Sequence, residues 1–129
     1  DIVSVRPFNL FGSAMSSTLF VGRMEQEIAR YKRGEIKTIV TGNLSVERDY
    51  IAIEKAVQYY RTVMERGVNG ETYNVGSGRS VPLREVLRRM LADAGLGMDI
   101  VRETKHETSG KIVVPKIFAD IAKIKQLAA

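Results

Sequence analysis

Short runs rich in β-branched residues take turns with apolar stripes at helical spacing along this chain. That alternation constrains the fold more than any other feature. DIVSVRPFN carries Ile2, Val3 and Val5 in a strand that ends at Arg6-Pro7, and its abrupt start suggests a chain that begins inside a fold. Phe20, Met24, Ile28 and Tyr31 then fall on one helical face, with Gly34 placed to cap its end. Ile36 to Thr41 is the next strand candidate. A second stripe of Ile53, Ala56, Val57, Tyr60 and Val63 or Met64 predicts a helix ended by Gly67 and Asn69-Gly70. ETYNVGSG, Glu71 to Gly78, reads as a short buried strand entering a glycine turn. Pro82 suits the first turn of a third helix through Leu83, Val86, Leu87, Met90 and Leu91, closed by Gly95 and Gly97. Asp99 to Arg102 reads as a strand, Glu103 to Gly110 as a polar loop and Ile112 to Phe118 as extended. Asp120 is placed to cap a terminal helix from Ile121. The expected class is α/β, with short strands alternating with about four helices.

Composition excludes several functions. With 129 residues, 44% apolar and 27% charged, the chain has the make-up of a soluble globular domain. It has no apolar run of the ~18–20 residues that a membrane helix needs, and no basic-then-apolar leader. The absence of cysteine removes disulfides, thiol nucleophiles and thiolate metal sites, and suits a reducing cytoplasm. His106 is the only histidine, which excludes a multi-histidine metal site. The net charge of +5 is spread over both halves instead of forming a stripe, so nucleic acid is not expected as a partner. YKR (Tyr31 to Arg33) and LRR (Leu87 to Arg89) read as solvated helix faces. A mildly basic chain does suit a phosphorylated small ligand.

Candidate anion ligands gather at strand-to-helix junctions. Asn9 follows the first strand, Arg48 precedes the second helical stripe, and Asn74 and Arg79 flank the glycine turn. In open α/β sheets ligands bind at the carboxyl ends of strands, so these side chains are placed to converge. Arg48 and Arg79 are the more pointed candidates, because a guanidinium pairs with phosphate through two parallel hydrogen bonds. Asn9 equally well bonds its own turn. GSGRS, Gly76 to Ser80, lies between strand and helix as a phosphate-cradling loop would, yet it is neither GxGxxG nor GxxxxGK[ST]. A plain structural turn and a ligand contact both fit it. The adjacent Arg48-Asp49 pair reads either as a solvated arginine beside a helix cap or as an anion clamp, in which Asp49 holds the arginine or the helix start.

Five motifs in order carry a family resemblance: VSVRPFN, LFVGRMEQEIARYKRGE, GNLSVERDY, GETYNVGSGRSVPLREVL and FADIAKIKQL. Together they resemble the extended short-chain dehydrogenase/reductases, the NAD-dependent epimerase/dehydratase family. Within it the GDP-mannose 4,6-dehydratase and GDP-4-keto-6-deoxymannose reductase branches are the most similar. The likeness covers nearly the whole chain and implies the C-terminal, substrate-binding portion, residues 1–129, of a Rossmann-type enzyme. The family's dinucleotide loop and Tyr-x-x-x-Lys pair are not in this sequence, since no tyrosine is followed four residues later by lysine. The resemblance therefore implies NAD or NADP in a complete enzyme and none on this chain alone. It also implies a GDP-hexose ligand and, as partner, an N-terminal half or a second copy.

By position, the resemblance matches Asn9 to an asparagine at the sugar-nucleotide diphosphate and Arg23 to a basic position near the phosphates. It matches Arg48 to the arginine that grips the nucleotide end, and Asn74, with Arg79 as a lesser candidate, to a segment lining the nucleotide pocket. The chain departs from the family's pattern at LFGSAMSS (Leu10 to Ser17), at Ala52 and Lys55 after the Arg-Asp pair, and at SGKIVVP (Ser109 to Pro115). There Lys111 offers a point charge in place of an arginine fork. Other readings are a nucleotide-sugar 4-epimerase on the same scaffold, or a degenerate, non-catalytic nucleotide-binding or interaction module.

Overall fold

A computed structural model describes residues 1–104 and 113–129. His106, Lys111 and most of the expected Glu103–Gly110 loop lie outside the described residues. The elements run β1 (Ser4–Pro7), β2 (Asn9–Phe11), α1 (Phe20–Lys32), β3 (Ile39–Thr41), β4 (Glu47–Arg48), β5 (Tyr50–Ala52), α2 (Ile53–Arg66), β6 (Thr72–Val75), β7 (Val81–Pro82), α3 (Leu83–Asp93), β8 (Val101–Glu103) and α4 (Ala122–Ala128). The chain is α/β, as the alternation predicts, and it folds into two compact units. The first comprises residues 1–12, 48–81 and 116–129, and the second residues 13–47 and 82–115.

In the first unit β1 runs parallel to β6, with Ser4 opposite Thr72 and Pro7 opposite Val75. β2 runs parallel to β5, with Asn9 opposite Tyr50. Helix α2 packs on these strands and on α4. Ile51, Ala56, Tyr59, Val63, Tyr73, Val75, Ala119, Ile121 and Ile124 form the core. Each large apolar side chain buried there contributes about 1.5–3 kcal/mol of transfer free energy.

The inward face of α2 is Ala56, Tyr59 and Val63. Val57, which the expected stripe placed inward, and Met64, offered there as the alternative to Val63, are instead 55% and 86% exposed. Residues at i and i+1 cannot share one face, and the phenol ring of Tyr59 buries more surface than Val57 would. β1 is likewise open, with all four of its residues exposed. Helix α4 starts one residue later than Ile121, which is its N-cap residue in place of the expected Asp120; Asp120 stands just outside, where its Oδ1 accepts the Ala122 amide at 3.0 Å.

In the second unit β3 runs parallel to β8, Ile39 opposite Val101. Helices α1 and α3 pack through Met24, Ile28, Leu87 and Leu91 around Ile39 and Leu44. Gly34 follows α1 at φ +76°, the left-handed geometry that ends a helix and that a side chain disfavours. Pro82 serves as the extended N-cap of α3 and stands just outside its first turn. The expected Asp99–Arg102 strand is a 3-10 turn over Met98–Ile100 that leads into β8. Glu103 ties the unit together: Oε1 accepts the Leu44 amide at 2.8 Å and Oε2 pairs with Arg84 Nη2 at 2.5 Å.

Candidate functional site

The first unit brings the carboxyl ends of β1 and β6 side by side, because parallel pairing makes both strands finish at one edge. Beyond that edge the Phe8 amide donates to Val75 O at 2.8 Å, and the chain turns into Asn9. Asn9 then fastens to the strand bearing the Arg-Asp pair. Its amide nitrogen lies 3.1 Å and its Nδ2 3.2 Å from Asp49 O.

Asp49 is the centre of this edge, and it caps no helix. α2 begins at Ile53, with Ala52 as its N-cap residue. The Asp49 side chain is fully buried, and its carboxylate accepts four hydrogen bonds. Ser77 N and Ser77 Oγ reach Oδ1 at 2.8 and 2.7 Å. Gly78 N and Ala119 N reach Oδ2 at 3.0 and 3.1 Å. A buried carboxylate is tolerated only when its lone pairs are filled in this way.

This knot decides what the glycine turn does. The amides of Ser77 and Gly78 are the groups that would cradle a phosphate, and both point at Asp49. The turn's two amides are therefore taken by Asp49 and are not offered to a dinucleotide pyrophosphate. A Cβ at Gly76 would sit 2.8 Å from Asp49 Oδ2 and 2.7 Å from Ala119 Cβ, so the close approach requires glycine.

Asp49 lies between β4 and β5 with its side chain buried, while Arg48 and Tyr50 on either side of it are half-buried. Their neighbourhood shows in Tyr50, whose phenol is raised above its ordinary value of 10.0 by burial, while the Arg48 charge pulls it back. Arg48 is half-buried.

Arg79 follows the turn. Its side chain is exposed, and its backbone is held by Ser77 Oγ, which lies 3.3 Å from Arg79 N and 3.0 Å from Arg79 O. Asn74 spends its Nδ2 on Asp120 O at 3.2 Å, which ties β6 to the start of α4. Four of the five candidates, Asn9, Arg48, Asn74 and Arg79, thus belong to the first unit. Arg23 stands on the exposed side of α1 in the second.

The sequence pattern singled out these residues but missed Ser77, Ala119 and the central place of Asp49. Ser77 and Ala119 lie 28 and 70 positions from Asp49, so no local pattern marked the three as partners. Among the described residues no cluster of His, Cys, Asp and Glu is placed to hold a metal ion. Nor is any helix there long and apolar enough to cross a membrane.

A family model described as the NAD dependent epimerase/dehydratase family matches residues 1–76. GDP-6-deoxy-D-mannose reductase of Pseudomonas aeruginosa is 26% identical over 103 residues, which cover 79% of this chain and 34% of that protein. Among solved structures, RMD from Pseudomonas aeruginosa complexed with NADPH superposes with a TM-score of 0.78 at 23% identity, over 97% of this chain and 40% of that one. UDP-glucose 4-epimerase of Thermotoga maritima, solved with UDP-glucose, gives a TM-score of 0.74 at 22% identity, over 98% and 39%. The chain thus spans about a third of the length of its curated relative.

Proposed function

We propose, from the premise that this chain belongs to the NAD dependent epimerase/dehydratase family, that it is the C-terminal, nucleotide-sugar-binding portion of a GDP-hexose 4,6-dehydratase or 4-keto reductase. The observation that carries this reading is the pairing of a half-buried Arg48 with a buried, four-bonded Asp49 at the strand edge. A guanidinium on the residue next to such a knot offers bidentate contact to a diphosphate, and Arg79 adds a second fork. Asn9 and Asn74 line the nucleotide side. Arg23 is a phosphate contact on the strength of the resemblance alone. A likeness to GDP-6-deoxy-D-mannose reductase supports guanine over other bases. In a complete enzyme NAD or NADP supplies hydride removal and return, and this chain contributes binding and orientation of the sugar nucleotide.

The open β1 strand and the exposed Val57 and Met64 on α2 support a partner, either an N-terminal half or a second copy. A cysteine-free chain suits a reducing cytoplasm. One observation favours a second reading, a nucleotide-binding module without catalysis: the glycine turn is closed on Asp49.

Calorimetric titration with GDP, GDP-mannose, UDP-glucose and dTDP-glucose tests the reading. GDP and GDP-mannose bind preferentially, and Arg48→Ala weakens them roughly 10–100-fold, the value of a charge-assisted bond. Equal, salt-sensitive binding of all four, or binding of none, overturns it.

A further inference from the structure

We infer that Asp49 is the positioning residue of this binding face, a built-in anion that occupies the amide nest of the glycine turn and thereby sets where Arg48 and Arg79 present their guanidinium groups. The inference deepens the nucleotide-binding reading above and rests on it. Two distant stretches of chain converge on the carboxylate of Asp49, which lies between β4 and β5: Ser77 and Gly78 after β6, and Ala119 before α4. Asn9 is bound twice to the carbonyl of the same residue.

Arg48 is the residue before the knot, and Arg79 is the residue after its second amide donor. Ser77 Oγ couples the two ends, lying 2.7 Å from Asp49 Oδ1 and bonded as well to the backbone of Arg79. A successive-amide nest attracts anions of any origin, and here the protein fills it from within. The consequence is a division of labour. Backbone amides are withheld from the ligand, and the side chains of the flanking arginines are left to meet it. Asparagine cannot substitute, since its Nδ2 would face N–H groups with another donor.

Two measurements on the same chain test this, GDP affinity by calorimetry and amide hydrogen exchange at Ser77, Gly78 and Ala119. In Asp49→Ala the three amides lose protection, and added formate, a carboxylate small enough for the vacated nest, restores it together with GDP binding. Ser77→Ala keeps three of the four donors and serves if Asp49→Ala fails to fold. It weakens GDP binding roughly tenfold. Arg79→Ala added to it then costs clearly less than Arg79→Ala alone, because Arg79 is already misplaced.

Fully additive losses from Ser77→Ala and Arg79→Ala overturn the inference, as does protection at Ser77 and Gly78 that is unchanged in Asp49→Ala. If the native chain does not bind GDP, the nucleotide reading falls. Formate-restored protection in Asp49→Ala would still support the filled nest in that case.

Discussion

Ser77 reaches one carboxylate oxygen of Asp49 twice, its amide nitrogen at 2.8 Å and its hydroxyl at 2.7 Å from Oδ1. Such double engagement makes the buried Asp49 knot costly to disturb. Removing the carboxylate leaves the amides of Ser77, Gly78 and Ala119 without their acceptor, at about 1–3 kcal/mol for each group that stays buried. Asp49→Ala should therefore lower the unfolding free energy by on the order of 3 kcal/mol or more, and Ser77→Ala by about 1 kcal/mol. Urea unfolding followed by circular dichroism measures both, and equal midpoints for Asp49→Ala and the parent would contradict the expectation.

Two glycine substitutions separate space from backbone geometry. Gly76→Ala forces a methyl to 2.7 Å from Ala119 Cβ and 2.8 Å from Asp49 Oδ2, an overpacking worth about 1–3 kcal/mol. Gly34→Ala meets nothing within 4 Å but must hold φ at +76°, at about 1 kcal/mol. Thermal melts should rank Gly76→Ala as the more damaging of the two; the reverse order would mean that the Asp49 neighbourhood yields easily.

Tyr50 supplies a pH signature. Burial raises its phenol above 10.0 and Arg48 opposes that rise, so Arg48→Ala should move the tyrosinate titration still higher. The sign for stability follows from the raised value. The folded state binds the Tyr50 proton more tightly than the unfolded state, so its contribution is intact below pH 10.0 and is lost as pH climbs through the folded value. Ultraviolet difference titration of the parent, Tyr50→Phe and Arg48→Ala resolves this, and a downward shift in Arg48→Ala would refute the assigned proximity.

Arg66 closes the end of α4, with Nη1 at 3.4 Å from Leu127 O and 3.3 Å from Ala129 O. A cation on the last carbonyls of a helix contributes about 0.3–1 kcal/mol at an exposed site. Arg66→Ala should fray α4 and speed amide exchange there. Equal exchange in α4 of both proteins would show that the contact carries no stability.

What the sequence revealed and what it hid divide by range. Helices α1 and α3 were legible because Met24, Ile28, Leu87 and Leu91 repeat with the helical period and glycines follow each. In α2 the period is ambiguous by one residue, and the choice of Tyr59 over Val57 and Met64 is made by the strands it packs on. The strand-edge location of Asn9, Arg48, Asn74 and Arg79 was legible from junction chemistry. Asp49 was not, because its partners are 28 and 70 positions away and no local signal encodes them. The same distance hid which acceptor the amides of the glycine turn meet.

The first unit is assembled from residues 1–12, 48–81 and 116–129, so its last quarter of structure is supplied by the final stretch of this sequence. During vectorial synthesis the Asp49 carboxylate would emerge well before the Ala119 amide that completes its shell. Loop-closure entropy must be met before that contact gives any return, which places the knot late on the folding path. Truncation that removes residues 116–129 should then yield a loosely ordered intermediate, held together by α2 on its strands and lacking both the Ala119 amide and the apolar side chains of Ile121 and Ile124.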